Sequence, residues 1–242
     1  AVALEICGFD QVFKKVGMEP TGDPFNSLMK LENTDSSPYN PMINAGAIVV
    51  ASCLASEISF DTMLDTIRAL CMDPDINLDK KVYHSEMSHI SRNRAIAYLL
   101  ESKGYIEKNK DVENSLHFYV KMCSLSVTAE SLAGLGLILA NDGIHPDTGK
   151  RLLSSQAVKI VKTLMFTCGM YDGSGEFAVR VGIPSKSGVG GGILSVVDGE
   201  MGIGIFGPAL DKKGNSVAGE CVLEYMSHEL HLHMFDPQRH TL

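Results

Sequence analysis

Apolar positions along this chain follow two regimes, and the change falls near Gly169. Before it they recur at helical spacing. Phe60, Met63, Leu64, Ile67 and Leu70 form one such stripe and predict a helix over residues 60–71. Residues 44–56 form an apolar run that reads as a helix, with Asn44 placed to cap its start. Further helices are predicted over 93–101, 112–123, 128–140 and 155–168, the one over 128–140 stopped by Asn141-Asp142-Gly143. Beyond Gly169, residues 177–181, 192–197 and 201–206 read as strands, and 216–233 as a closing helix. Asp198-Gly199 between two of the strands is a hairpin signal, since both central turn positions call for positive φ. The stretch from Gly22 to Asn44 is loop-like, broken by Pro24, Pro38 and Pro41.

This order predicts an α+β fold, with helices on an antiparallel sheet. It is read as one domain over residues 1–242, with a mainly helical lobe over 40–168 and a sheet hairpin plus C-terminal helix over 169–242. The chain is 45% hydrophobic and 21% charged, the balance of a globular protein. A net charge of -8 argues against a phosphate-backbone partner, so no nucleic acid is expected. No apolar run reaches the ~18 residues of a membrane span. Six cysteines without a C-x-x-C pair read as free thiols in a reducing, cytoplasmic setting.

The most informative string is Lys186-Ser187-Gly188-Val189-Gly190-Gly191-Gly192. A cation and a hydroxyl enter a strand, and the glycines open the backbone to close approach, so that N–H groups can face a developing oxyanion. It is no phosphate loop, because Ser185 and not Gly precedes Lys186. Cys168-Gly169-Met170-Tyr171 sets a phenol among small residues, where it can relay a proton. Asn44 offers an amide, Glu86 a carboxylate for an ammonium group, and Asn93 a second amide for a carboxylate. Taken singly, each also fits an ordinary structural role: a glycine bulge, a tyrosine over a turn, a helix cap, a solvated polar pair. Ser27-Leu28-Met29-Lys30 satisfies Ser-x-x-Lys, but a motif with two fixed positions arises readily by chance, and this copy lies in the loop-rich stretch. His228, His231 and His233 do not make H-E-x-x-H and read as surface histidines; no metal is expected.

Together with Glu19-Pro20-Thr21-Gly22, Phe25-Asn26-Ser27, Asn40-Pro41-Met42-Ile43-Asn44-Ala45-Gly46-Ala47, Ser85-Glu86, Arg92-Asn93 and Phe118-Tyr119, these strings resemble, in order and spacing, the serine-dependent glutaminases. The resemblance covers essentially the whole chain. It implies a β-lactamase/transpeptidase-like fold, an antiparallel sheet flanked by helices beside an all-helical lobe. It implies hydrolysis of L-glutamine to L-glutamate and ammonia through a γ-glutamyl-serine ester, without cofactor, in a homodimer or homotetramer. By the same resemblance Asn44, Glu86, Asn93 and Tyr119 hold the amino-acid head and reacting amide, Tyr171 assists proton transfer, and the Val189 N–H is an oxyanion donor. The family's Ser-x-x-Lys pair lies upstream of the segment matching Ala1, so this polypeptide alone is expected to lack its nucleophile. The rival expectations are another β-lactamase-like serine amidohydrolase, or a non-catalytic glutamine-binding or assembly fragment.

Overall fold

The structure, a computed structural model, describes residues 1–22, 25–27, 37–108 and 111–239. The chain divides into two compact units, Ala1–Arg68 with Pro74–Val127, and Ala69–Asp73 with Thr128–Leu242. The described elements are helices and small antiparallel sheets. No single described helix is long and apolar enough to cross a membrane.

The first unit carries helices α1 (Val2–Ile6), α2 (Phe9–Phe13), α3 (Asn44–Ala55), most of α4 (Phe60–Leu70), α5 (Lys80–Ser88), α6 (Ser91–Ser102) and α7 (Val112–Cys123). A two-residue strand β1 (Asn77–Leu78) pairs antiparallel with β2 (Leu125–Ser126). Helix α3 is apolar on nearly every side, which is the signature of a helix buried all round. It packs against α6 and α7. Ile48, Ile96, Leu100 and Leu116 are fully buried at that junction, each contributing about 1.5–3 kcal/mol on removal from water. Asp79 caps α5 by accepting from the Lys81 and Val82 N–H groups at 2.8 and 3.0 Å.

The second unit carries α8 (Ala129–Ala140), α9 (Ser155–Cys168), a single 3₁₀ turn (Tyr171–Gly173), α10 (Ser174–Arg180) and α11 (Val217–Glu229), around strands β3 (Ser185–Ser187), β4 (Gly192–Val197) and β5 (Met201–Phe206). The strands run antiparallel in the order β3-β4-β5, with Ser187 opposite Ile193 and Ile193 opposite Ile205. Thr128 and Ser131 form a reciprocal capping box at the start of α8. Helix α8 then lies directly on β4 and β5. A Cβ at Gly204 would meet the Ala129 carbonyl oxygen at 1.8 Å, and one at Gly202 would meet the Ala133 carbonyl oxygen at 2.1 Å. Only glycine permits that approach. Because α8 and α9 belong with the sheet, the break in the chain falls at 127/128, and the sequence boundary at 168/169 lies inside the second unit.

The helices over 112–123 and 155–168 and the strands over 192–197 and 201–206 have the bounds read from the sequence. Residues 177–181 are not a strand: they belong to α10 and the turn after it. Phe177 and Val181, four residues apart, both face the core of the second unit, and Glu176 pairs with Arg180 at the same spacing. The hairpin loop has three residues, since Val197 pairs with Met201, and only Gly199 takes positive φ, at 75°. The last helix stops at Glu229 and not at His233, with His231 in the left-handed region at φ 53°. Asn44 does not cap α3. Ile43 is the cap residue, and the Asn44 amide is turned to another use. Residues 80–88, including Glu86, form a helix of their own where the sequence suggested only a polar lead-in.

Two outcomes follow. Gly204→Ala should lower stability by about 1–3 kcal/mol or more by forcing α8 off β5, whereas Gly175→Ala, with open space around its Cβ position, should not; urea midpoints compare them. Cys123 and Cys221 are exposed, while Cys53, Cys71 and Cys168 are buried, and burial, with Asp73 adding, pushes the Cys71 thiol up to about 11. At neutral pH a thiol reagent should modify Cys123 and Cys221 first; equal labelling of Cys71 in the folded protein would contradict this burial.

Candidate active site

In the first unit the structure brings Asn44 and Asn93 together across 49 residues of sequence, the Asn44 Nδ2 donating to Asn93 Oδ1 at 3.0 Å. Each side chain sits in the first turn of its helix, α3 or α6, half-buried. The junction is fastened to the preceding loop. The Asn44 N–H donates to the Phe25 carbonyl at 3.1 Å, and Arg92 Nε donates to the Asn26 carbonyl at 2.9 Å. Gly46 admits the chain beside α3, since its Cβ would stand 2.0 Å from the Asn40 carbonyl oxygen. Asn40 is buried and holds that turn, donating to the Glu19 carbonyl and accepting from the Met42 N–H. Tyr119, on α7, is half-buried against the same core of α3 and α6 side chains. Glu86 lies exposed on α5, and its carboxylate makes no hydrogen bond or ion pair with another described residue.

In the second unit Tyr171, Lys186 and Ser187 form a second group, with Val189 two residues further along the chain. Gly169 closes α9 against β3, where a Cβ would lie 1.8 Å from the Ser185 carbonyl oxygen. Tyr171 follows with φ 54°, a left-handed conformation strained for a bulky residue and held only where its surroundings impose it. They do so here. Its hydroxyl donates to the Ser187 carbonyl at 3.1 Å, its own carbonyl accepts from the Ser174 hydroxyl at 2.8 Å, and the Lys186 ammonium lies 4.4 Å from its ring centroid. Lys186 Nζ also reaches the Ser187 carbonyl. Ser187 is 1% exposed, and its hydroxyl has no hydrogen-bond partner among the described residues. Beyond it the Gly188 N–H donates to the Gly192 carbonyl, and Gly191 turns the chain at φ 94°. Val189, between them, is 53% exposed, and its N–H donates to no described acceptor. An unengaged main-chain donor suits a carbonyl oxygen that gains negative charge.

A cavity of about 280 Å³ in the second unit contains none of these residues. Its wall is a charge network of Lys213, Arg180, Glu176 and Glu224. Lys213 and Arg180 hold the Glu176 carboxyl below its ordinary range, while burial, with Asp211 adding, raises that of Glu220. Among the described residues no group of three or more His, Cys, Asp or Glu side chains could hold a metal. His228 pairs with Glu229 and His231 with Asp236. Of the Ser27-x-x-Lys30 motif, Lys30 lies outside the described residues.

The sequence profile of the glutaminase family matches residues 1–235. The chain belongs to the glutaminase family. It is an amidohydrolase chain by that membership. A glutaminase of Clostridioides difficile strain 630 is 53% identical over 239 residues, 97% of this chain and 77% of that protein. Glutaminase 2 of Clostridium perfringens strain 13 is 50% identical over 232 residues, 94% of this chain and 75% of its own length. Among solved structures, a probable glutaminase of Bacillus subtilis superposes with a TM-score of 0.91 at 40% identity, over 96% of this chain and 78% of that one. The Bacillus subtilis glutaminase YbgJ, solved as a covalent complex with 5-oxo-L-norleucine formed by reaction with 6-diazo-5-oxo-L-norleucine, gives a TM-score of 0.84 at 37% identity, over 97% of this chain and 77% of that one.

Sequence reasoning named Asn44 and Asn93 but not their contact, and it named the Lys-Ser-Gly string but not the strain at Tyr171. No local signal carries the first. The small residues Gly169, Gly173 and Gly175 around Tyr171 point toward the second without fixing it.

Proposed function

We propose that this glutaminase releases ammonia from L-glutamine by acyl transfer to a serine, forming a γ-glutamyl ester that water then hydrolyses to L-glutamate. The single observation that carries the reading is the family match over residues 1–235. The covalent adduct of the Bacillus subtilis relative supports a nucleophilic route. The nucleophile is assigned to the serine of a Ser-x-x-Lys pair, as the family resemblance implies, and not to Ser27, whose copy of that motif begins in the loop-rich stretch.

Glu86 supplies a carboxylate for the substrate ammonium, and its lack of an internal partner among the described residues supports that role. Asn44 and Asn93 hold the substrate carboxylate and amide. Each amide group keeps donor or acceptor capacity beyond the one bond between them. Tyr119 adds a phenol to this set. Tyr171 assists proton transfer, and the Lys186 ammonium held over its ring supports that role. The Val189 N–H receives the oxyanion of the tetrahedral intermediate. No step in this chemistry requires a cofactor. A β-lactamase-like arrangement, with α8 on one side of β4 and β5 and α11 against Ile193, supports the Lys186-Ser187-Gly188 strand as this enzyme's counterpart of that group's Lys-[Ser/Thr]-Gly motif. Six cysteines without a C-x-x-C pair support a cytoplasmic setting, and exposed Val222 and Tyr225 on α11 support a homo-oligomer.

In the full-length enzyme, Glu86→Ala and Tyr119→Phe should each reduce kcat/KM for glutamine by at least about tenfold, because polar substrate groups are left unpaired. Unchanged steady-state kinetics would remove these residues from the site. Ser27→Ala should leave turnover nearly intact; complete loss of ammonia release in a folded variant would reinstate Ser27 as the nucleophile.

A further inference from the structure

Helix α5, which carries Glu86, has no buried residue anywhere along Lys80–Ser88. A helix without an apolar anchor is not held in place by core packing, and its position depends on its cap and its polar ties. At its start, Asp79 caps it and the Asp79 N–H donates to the Ser124 carbonyl at 2.8 Å. Along its length, the Tyr83 hydroxyl meets His117 Nδ1 of α7 at 2.6 Å, with the two rings 6.2 Å apart and tilted by 40°. Both side chains are half-buried, so this bond is shielded from competing water more than a surface pair would be. Tyr83 and Glu86 are three residues apart and share a helix face. His117 lies two residues before Tyr119 on α7.

We propose that Tyr83 and His117 are positioning residues: their hydrogen bond ties the helix of Glu86 to the helix of Tyr119 and fixes the Glu86 carboxylate for the substrate ammonium. The proposal rests on the assignment of Glu86 to substrate binding. Neither residue touches substrate. Without the tie, α5 is held only at its ends, by the Asp79 fastening and by buried Ile90 before α6, and its last turn, where Glu86 sits, can shift between them. Either tautomer of His117 makes the bond, since phenol and imidazole can exchange donor and acceptor roles. An asparagine at 117 keeps a polar atom near the place of Nδ1, whereas a leucine keeps only the bulk.

The experiment is steady-state kinetics with glutamine in the full-length enzyme, for Tyr83→Phe, His117→Leu, the double variant and His117→Asn, alongside Glu86→Ala. Tyr83→Phe and His117→Leu should each raise KM about three- to tenfold, the scale of one lost hydrogen bond, with kcat within about twofold. The double variant should be no worse than the singles, and His117→Asn should bring KM back to within about twofold of the parent. A merely structural role would instead lower kcat with the folded fraction, read from circular dichroism and the unfolding midpoint. Unchanged KM in both single variants, effects that multiply in the double variant, or a proportional loss of folded enzyme would each overturn the proposal. If Glu86→Ala leaves KM and kcat unaltered, the underlying assignment fails instead; if it acts and Tyr83→Phe does not, only the tie is refuted.

Discussion

The approach of α8 to the β4–β5 hairpin is the constraint on which the second unit depends. Backbone meets backbone there. Gly202 and Gly204 of β5 and Gly136 of α8 leave no side chain between helix and strand. On β5 the alternation is between glycine, facing α8, and isoleucine, so side-chain burial against the helix does not set the register of that strand. The register is fixed instead by the fit of the helix, because a slip of one residue would drive Ile203 or Ile205 into the α8 main chain. That register also sets Ser187 opposite Ile193, and so places Lys186 and the Gly188–Gly192 turn at the end of the sheet.

The first unit is organised by the opposite means. Large aliphatic side chains from α3, α6 and α7 fill its centre. The polar ends of α3 and α6 are then left at the margin of that core, where Asn44 and Asn93 meet. Helix α5 stands apart from this scheme, since none of its residues is fully buried and it relies on directional contacts. One unit thus combines a rigid apolar centre with a polar helix whose placement is set by few bonds.

Much of this was legible in the sequence where periodicity and local chemistry agree. Residues 112–123 and 155–168 carry helical stripes with Asp111 and Ser154 as caps, and the two long strands are bounded by glycine turns. Residues 177–181 misled because five apolar-rich residues fit either period, and only the contacts of Phe177 and Val181 with the core decide. Helix α5 escaped notice because a helix with no buried face writes no stripe. Asn44 looked like a cap because asparagine before an apolar run usually is one. Its partner lies 49 residues away, a distance that no local pattern encodes. The family strings, by contrast, carried the activity, because their order and spacing hold information that no single residue does.

Val189 shows a different kind of economy. In the proposed site it presents only a peptide hydrogen, while the residue itself is 53% exposed. Nineteen of the genetically encoded amino acids would offer the same hydrogen, and proline alone would withhold it. Divergence at position 189 can therefore run far without touching the donor, and a relative's competence cannot be judged from the letter found there. The geometry of the surrounding glycines, Gly188 to Gly192, is what inheritance must preserve.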